Sequence, residues 1–171
     1  MKLSPVSADY LVVLARVEEM RYPLALIGDD DARPGRERAV QLYRDAIKRR
    51  PTWPYTYADL AYALMRLDRV DAELEAALVD GARLGPWEPE VMQAIIDVGF
   101  EAWYRLSPEA RRVVADTLIR SQSPERAGGR NKKHADEMWE RVRVHRKQAL
   151  ACGLLPMTNE RNRHICHPDN W

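Results

Sequence analysis

Phenylalanine occurs once in this chain of 171 residues, and cysteine only twice. Two thiols in a chain of this length exclude a disulfide-built scaffold. Both lie near the C-terminus: Cys152 and Cys166 are 14 positions apart and can pair if the tail folds back. Long apolar runs are missing too. No window approaches the roughly 18–20 apolar residues of a membrane span. Met1-Lys2-Leu3-Ser4-Pro5 carries a lysine but no apolar segment before Asp9, so no secretory signal is expected in the chain as it stands. An excess of one charge is also absent. The net charge of +1 provides no whole-molecule field for nucleic acid. No glycine-rich phosphate loop, nucleophile elbow or helix-borne His-Glu metal motif occurs, so catalysis has no support and no cofactor is expected.

What is present is a globular composition. Hydrophobic residues make up 46% of the chain, and Trp and Tyr supply nearly all the aromatics. Such rings are apolar at one end and polar at the other, which suits half-buried groove positions. The charge is uneven along the chain. Residues 51–120 hold 7 basic and 12 acidic side chains, and residues 121–171 hold 10 basic and 6 acidic. The basic run from Arg126 to Lys147 includes Trp139, but Asp136, Glu137 and Glu140 interrupt it. The Glu137–Arg141 spacing reads as a salt-bridged solvated helix rather than a nucleic-acid stripe.

The pattern is helical throughout. Apolar residues at helical spacing place helices over Ser7–Arg21, about Pro34–Arg50, from Pro54 through Leu67, and about Val70–Leu84. Three more follow over Trp87–Leu106, Ser107–Ser121 and about Asn131–Cys152. In the first helix, Tyr10, Leu11, Leu14 and Val17 are apolar, and Val12 and Val13 widen the pattern. That width predicts burial on more than one side. Ser7 and Ser107 are candidate caps, Pro54 and Pro108 suit first turns, and Gly85 suits a helix end. Gly99 inside a helix predicts close approach by a neighbour. Ser123–Arg130, with Pro124 and Gly128-Gly129, reads as a loop.

Two proline-bearing joints organise the middle: Arg50-Pro51-Thr52-Trp53-Pro54 and Leu84-Gly85-Pro86-Trp87-Glu88-Pro89. Pro51 and Pro86 are 35 residues apart, and Trp53 and Trp87 are 34 apart. A period near 34 is the length of a tetratricopeptide helix–turn–helix unit. Ala39, Tyr43, Ala46 and Pro51 fit the end of one such unit. Tyr57, Leu60, Ala61 and Leu64 fit the opening of the next, and Leu74, Leu78, Gly81 and Pro86 complete it with one inserted residue. The expected fold is all-α: a right-handed stack of helical hairpins, an α-solenoid of about six to seven helices. It would occupy residues 1–152, with an irregular tail over 153–171 in which Leu154, Leu155 and Met157 dock.

Candidate chemistry is sparse. Asp29-Asp30-Asp31 lacks the spacing and distal glutamate of a calcium loop, so the aspartates read as helix-start residues. Lys48-Arg49-Arg50 suits the last turn of a helix. His145, Cys152, His164, Cys166 and His167 are zinc-ligand types, but their spacing matches no zinc module, and no metal site is expected. A thiol enzyme using Cys166 with His164 or His167 would be the alternative chemistry. It lacks a positioned base and an oxyanion site. The remaining candidate surface is the concave side of the stack, with Tyr57, Asp59, Tyr62 and Arg66 as groove residues.

RPTWPYTYADLAYALMRL, then LGPWEPEVM, Gly99 and Trp103-Tyr104-Arg105-Leu106, resembles the tetratricopeptide-like accessory proteins of bacterial exopolysaccharide clusters, the VpsP-type family. The resemblance covers about residues 37–120, and the two Trp-Pro joints are its specific part. It implies a non-enzymatic protein–protein interaction module whose partners belong to polysaccharide assembly or export machinery. It supplies no catalytic residues. A general peptide-binding adaptor is the alternative on the same fold. Family members commonly carry an N-terminal membrane or export segment, so cytoplasmic, periplasmic and membrane-associated settings stay open.

Overall fold

A computed structural model describes residues 7–123 and 132–170. Most of the loop expected over Ser123–Arg130, and the helix start expected at Asn131, lie outside the described residues. Among these residues the protein is all-helical, with no strand. It divides into two compact units, Met1–Gly85 and Pro86–Trp171, with the break in the second proline joint.

The N-terminal unit holds α1 (Ala8–Met20), α2 (Arg33–Arg49), α3 (Pro54–Arg66) and α4 (Ala72–Leu84). Its helix starts follow local chemistry. Ser7 Oγ accepts the Tyr10 N–H at 3.1 Å, and Pro34 and Pro54 occupy first turns. The Asp71 carboxylate accepts from the N–H groups of Glu73 and Leu74, both at 3.1 Å. Each cap satisfies donors that a helix start leaves without intrahelical partners. Packing runs between chain neighbours: α1 on α2, α2 on α3, α3 on α4. The small and aromatic residues expected at those contacts are buried: Ala39, Tyr43, Ala46, Leu60, Ala61, Leu64, Leu74, Leu78 and Gly81. Asp29 Oδ1 accepts the Ala32 N–H at 3.0 Å and Asp30 pairs with Arg33, so two of the three aspartates organise the approach to α2.

One expectation here is corrected. The first helix is buried on one side only, through Leu11 and Ala15, while Tyr10, Val13 and Val17 stay half exposed or more. Apolar width alone does not report burial; a neighbour must supply the covering surface, and only α2 packs closely on α1.

The C-terminal unit holds α5 (Pro89–Glu101), a short 3-10 turn (Trp103–Arg105), α6 (Pro108–Ser121) and α7 (Lys132–Val144). Two short helices, α8 (Gln148–Leu154) and α9 (Glu160–Ile165), follow, and a 3-10 turn over Pro168–Asn170 ends the described chain. Helix α5 is the hub. It packs against both α6 and α7, and every residue from Val91 to Phe100 except Gln93 is buried. A Cβ on Gly99 would overlap both methyls of Val114, so glycine lets α5 and α6 approach closely.

Two further expectations are corrected. The last long helix stops at Val144, because Arg146 takes a left-handed φ of 53° and the chain restarts as α8. Its neighbours still bond: Lys147 N–H donates to Val142 O at 3.0 Å. The tail, expected to be irregular, contains the end of α8 and all of α9. Cys152 and Cys166 form a disulfide with a Cα–Cα distance of 5.6 Å. Leu155 and Ile165 are buried, whereas Met157 is exposed. A polar network completes the docking. Arg161 donates to Gln122 Oε1 at 2.9 Å and Asp136 at 2.8 Å, and Gln122 donates to Ala135 O at 2.9 Å. Periodicity searches miss such a tail because a six-residue helix is shorter than two turns.

Candidate functional site

Three of the four groove residues converge on one open cleft of about 390 Å³ in the N-terminal unit. Asp59, Tyr62 and Arg66 line it from α3, with Arg16, Glu19 and Met20 from α1, Arg36 from α2, and Tyr22, Pro23 and Ala25 from the connecting segment. Tyr57 is not among them. Its hydroxyl donates to Pro51 O at 2.8 Å and so braces the first proline joint. The spacing explains the split. Asp59, Tyr62 and Arg66 recur at three and four residues and share a helix face, whereas Tyr57 belongs to a different one.

The cleft wall is a chain of alternating charges. Arg16 Nη2 sits 3.0 Å from Asp59 Oδ2, and Arg66 Nη1 donates to Glu19 Oε1 at 2.9 Å. Glu19 also accepts from the Tyr43 hydroxyl at 2.7 Å through its other oxygen. The charge of Asp59 raises the Arg16 pKa above its ordinary value, against an opposing effect of burial. Burial, then the Glu19 charge, pushes the Tyr43 phenol far above its usual range, so it is a proton donor throughout physiological pH. The Arg66 guanidinium carbon lies 5.8 Å from the centre of the Tyr62 ring, within cation–π range.

Arg36 builds the floor. It is almost fully buried, and its guanidinium donates to the carbonyls of Leu26 (2.8 Å), Arg66 (2.7 Å) and Ala25 (2.8 Å). It thereby ties the segment before α2 to the end of α3. Gly28, at φ 75°, adds a backbone bond to Arg66 O at 2.8 Å. Burial, then the nearby Arg66 charge, lowers the Arg36 pKa. Sequence reasoning missed Arg16, Glu19 and Arg36. Their ion pairs and carbonyl contacts span 10 to 47 residues, beyond any local pattern. The cleft presents donors, acceptors and an aromatic face to a ligand. None of its lining residues is a serine, cysteine or histidine.

The histidine and cysteine residues do not assemble into one site. Both cysteines are in the disulfide, so neither offers a thiolate as ligand or nucleophile. His145 lies instead between two carboxylates of α5: Nε2 is 3.2 Å from Asp97 Oδ1, and Nδ1 is 3.2 Å from Glu101 Oε2. The hydrogen bond to Asp97 raises the His145 pKa. Burial opposes that, and the charges of Asp97 and Glu101 add to the rise. His164 and His167 are exposed. Among the described residues, no group of three or more His, Cys, Asp or Glu is placed to hold a metal ion. The Glu137–Arg141 pair is replaced: Arg141 approaches Asp97 at 3.6 Å, and Glu137 meets Lys133 and His134.

The joint tryptophans are both partly exposed. Trp53 stacks beneath the Arg50 guanidinium at 4.1 Å and beside Tyr55 at 5.1 Å. Arg50 also pairs with Asp9 at 2.7 Å, so the basic triplet that ends α2 fastens α1 to the first joint. Among the described residues no helix is long and apolar enough to cross a membrane. No family model matches the chain, and neither a curated protein nor a solved structure matches it.

Proposed function

We propose that the protein is a non-enzymatic interaction module that holds an extended polypeptide segment in the cleft of the N-terminal unit. The observation that carries this is the convergence of Asp59, Tyr62 and Arg66 with Arg16 and Glu19 on one open, charged cleft. Two ion pairs at its wall can exchange partners with the charged side chains or terminal carboxylate of a peptide, while Tyr62 offers a flat apolar face. The fold is read as a right-handed stack of tetratricopeptide-like hairpins. Its support is the packing of α1 to α4 between chain neighbours, together with the two joints at the expected period.

The partner class follows from the resemblance in the proline joints: a component of the machinery that assembles or exports an exopolysaccharide. The disulfide favours an oxidising compartment and therefore an extracytoplasmic setting for the C-terminal unit. A general peptide adaptor is the second reading, favoured by the same cleft without the resemblance.

The test has two arms. Peptides tiled from candidate polysaccharide-assembly proteins are titrated against the protein and against Tyr62→Ala and Arg66→Ala. Each variant is expected to weaken binding about tenfold or more, as central anchors do. Binding unchanged by both would remove the cleft as the site. In parallel, secreted polysaccharide is measured in a strain lacking the gene, with and without a restored copy. Polymer output that does not depend on the gene would leave the general adaptor as the reading.

A further inference from the structure

The cleft of the N-terminal unit is layered by charge. Its two carboxylates lie deep: the Glu19 side chain is 9% exposed and that of Asp59 22%. The guanidinium groups paired with them face outward, Arg66 at 44% and Arg16 at 56%. An incoming group therefore meets cations first. The carboxylates are also engaged already. Glu19 accepts from Arg66 through one oxygen and from the Tyr43 hydroxyl through the other, and both Asp59 oxygens face Arg16 Nη2, at 3.0 and 3.4 Å. The spare capacity is on the donor side. A guanidinium carries five N–H donors. Among the described residues Arg66 donates from Nη1 to Glu19, and its Nε and Nη2 edge remains for a ligand. Arg16 serves Asp59 from Nη2 and faces the Tyr43 hydroxyl as well, so Arg66 is the more open of the two. Arg36 adds a third cation beneath them, and its hydrogen-bond partners are neutral carbonyls. Asp29 acts on Arg36 from outside the lining and gives one oxygen to the Ala32 N–H. The described lining thus sets three guanidinium groups against two carboxylates.

We propose that the cleft anchors its peptide by a carboxylate, held on the open edge of Arg66 and by Arg16, with the Tyr62 ring beside it. This rests on the peptide reading above and names the group that fixes the segment in place. A planar fork of N–H donors matches both oxygens of a carboxylate, and such paired contacts are stronger than those between neutral groups. One negative charge also balances the excess of the lining. The cleft volume of about 390 Å³ is near the lower end of ligand pockets, which span about 300–1,000 Å³, so it suits an anchoring group rather than a long stretch of chain. Asp59 and Glu19 then act as in-chain competitors. They hold the two arginines in place when the cleft is empty and give way in part when a ligand carboxylate arrives.

Short peptides of random sequence, made once with a free C-terminal carboxylate and once as the C-terminal amide, are passed over the immobilised full chain, and the retained molecules are sequenced. If the anchor is the chain end, free acids lacking Asp and Glu are retained and their amides are not. If it is a side chain, the retained amides are rich in Asp or Glu. Either result supports the proposal, and the contrast names the source. Retained peptides are then titrated beside counterparts in which that carboxylate is an amide. Arg66→Gln is expected to cost about tenfold or more and to bring the carboxylate peptide down to the level of its amide counterpart. Asp59→Asn is expected to act in the opposite direction, tightening the carboxylate peptide several-fold, because it removes the competitor for Arg16. A purely structural role for these ion pairs would weaken binding in both variants. Helical circular dichroism of each variant separates lost binding from lost folding. Retention indifferent to carboxylates, with binding still weakened by Tyr62→Ala, would overturn the carboxylate and keep the peptide cleft. Retention of no peptide at all would overturn the peptide reading and this inference with it. A folded Arg66→Gln protein that still distinguishes the carboxylate from its amide would overturn the inference alone.

Discussion

The N-terminal unit packs each helix on its neighbours in the chain, whereas in the C-terminal unit α6 and α7 both pack on α5. The consequences differ. In the first, α1 has a close neighbour on one side only and keeps an open apolar face, and the cleft lies between elements joined by ion pairs. In the second, the hub helix is buried around nearly its whole circumference, and even its polar Asp97 is drawn into an interaction with His145 and Arg141. The tail beyond α7 is then held by a covalent bond and a buried polar network rather than by a long apolar face. A packing order that exposes faces leaves surface for partners; one that closes on a hub devotes its surface to its own stability.

The largest expected effect breaks the C-terminal side of this contrast. Reduction, or the double change Cys152→Ser and Cys166→Ser, removes a crosslink spanning 14 residues. Such loops contribute about 3 kcal/mol. Amide exchange should rise along Glu160–Ile165 and the C-terminal unit, while α1 to α4 keep their protection. Equal loosening of both units would show that they do not behave independently.

A smaller effect sharpens the contrast at a glycine-mediated helix approach in each unit. Gly99→Ala forces a methyl against Val114, and overpacking of this kind costs about 1–3 kcal/mol. The helix propensity of alanine offsets about 1 kcal/mol of it. Denaturant unfolding should show a net loss that Val114→Ala partly relieves. At Gly35 the corresponding Cβ would lie 3.1 Å from Glu18 O, a milder conflict, so Gly35→Ala should destabilise less.

The smallest expected effect is on pH dependence, where the units should respond with opposite sign. In the N-terminal unit, hydrogen bonds from Arg44 hold the Glu73 carboxyl below its ordinary value of 4.5 despite burial. A depressed carboxylate contributes stability that is present above pH 4.5 and is lost as pH falls through the folded value. Solvent screens this pair, so the loss should stay below about 1 kcal/mol. In the C-terminal unit, the Asp97 hydrogen bond raises His145 above 6.5. That contribution is complete below pH 6.5 and is lost as pH rises through the raised value. Unit-resolved amide exchange across pH should show both slopes. Glu73→Gln should flatten the acid one and His145→Gln the alkaline one. Slopes that survive these changes would assign the pH response to other groups.

Much of the helical order was legible in the residues. Ser7 and Ser107 cap helices because a short polar side chain reaches the free N–H groups of a first turn. Pro54 and Pro108 open helices because a first turn needs no donor from them. Gly99 announced a close helix approach, and Val114 is the neighbour. Asp59, Tyr62 and Arg66 could be grouped because they share one helix face. The same spacing sets Tyr57 on another face, but its hydroxyl partner, the backbone carbonyl of Pro51, is not legible in it.

The sequence by itself determined what depends on a few neighbouring residues: the capped and proline-opened helix starts, the two proline joints, and the apolar faces from α2 to α6. These follow from backbone geometry and side-chain reach over three or four positions. Only the tertiary structure decided which apolar face stays uncovered on α1. The same holds for the pairing of Arg16 with Asp59 and of Glu19 with Arg66, and for the place of His145 between Asp97 and Glu101. It also decided that the tail is folded back by a disulfide. Those outcomes rest on contacts between residues far apart in the chain, which packing selects and local chemistry does not encode.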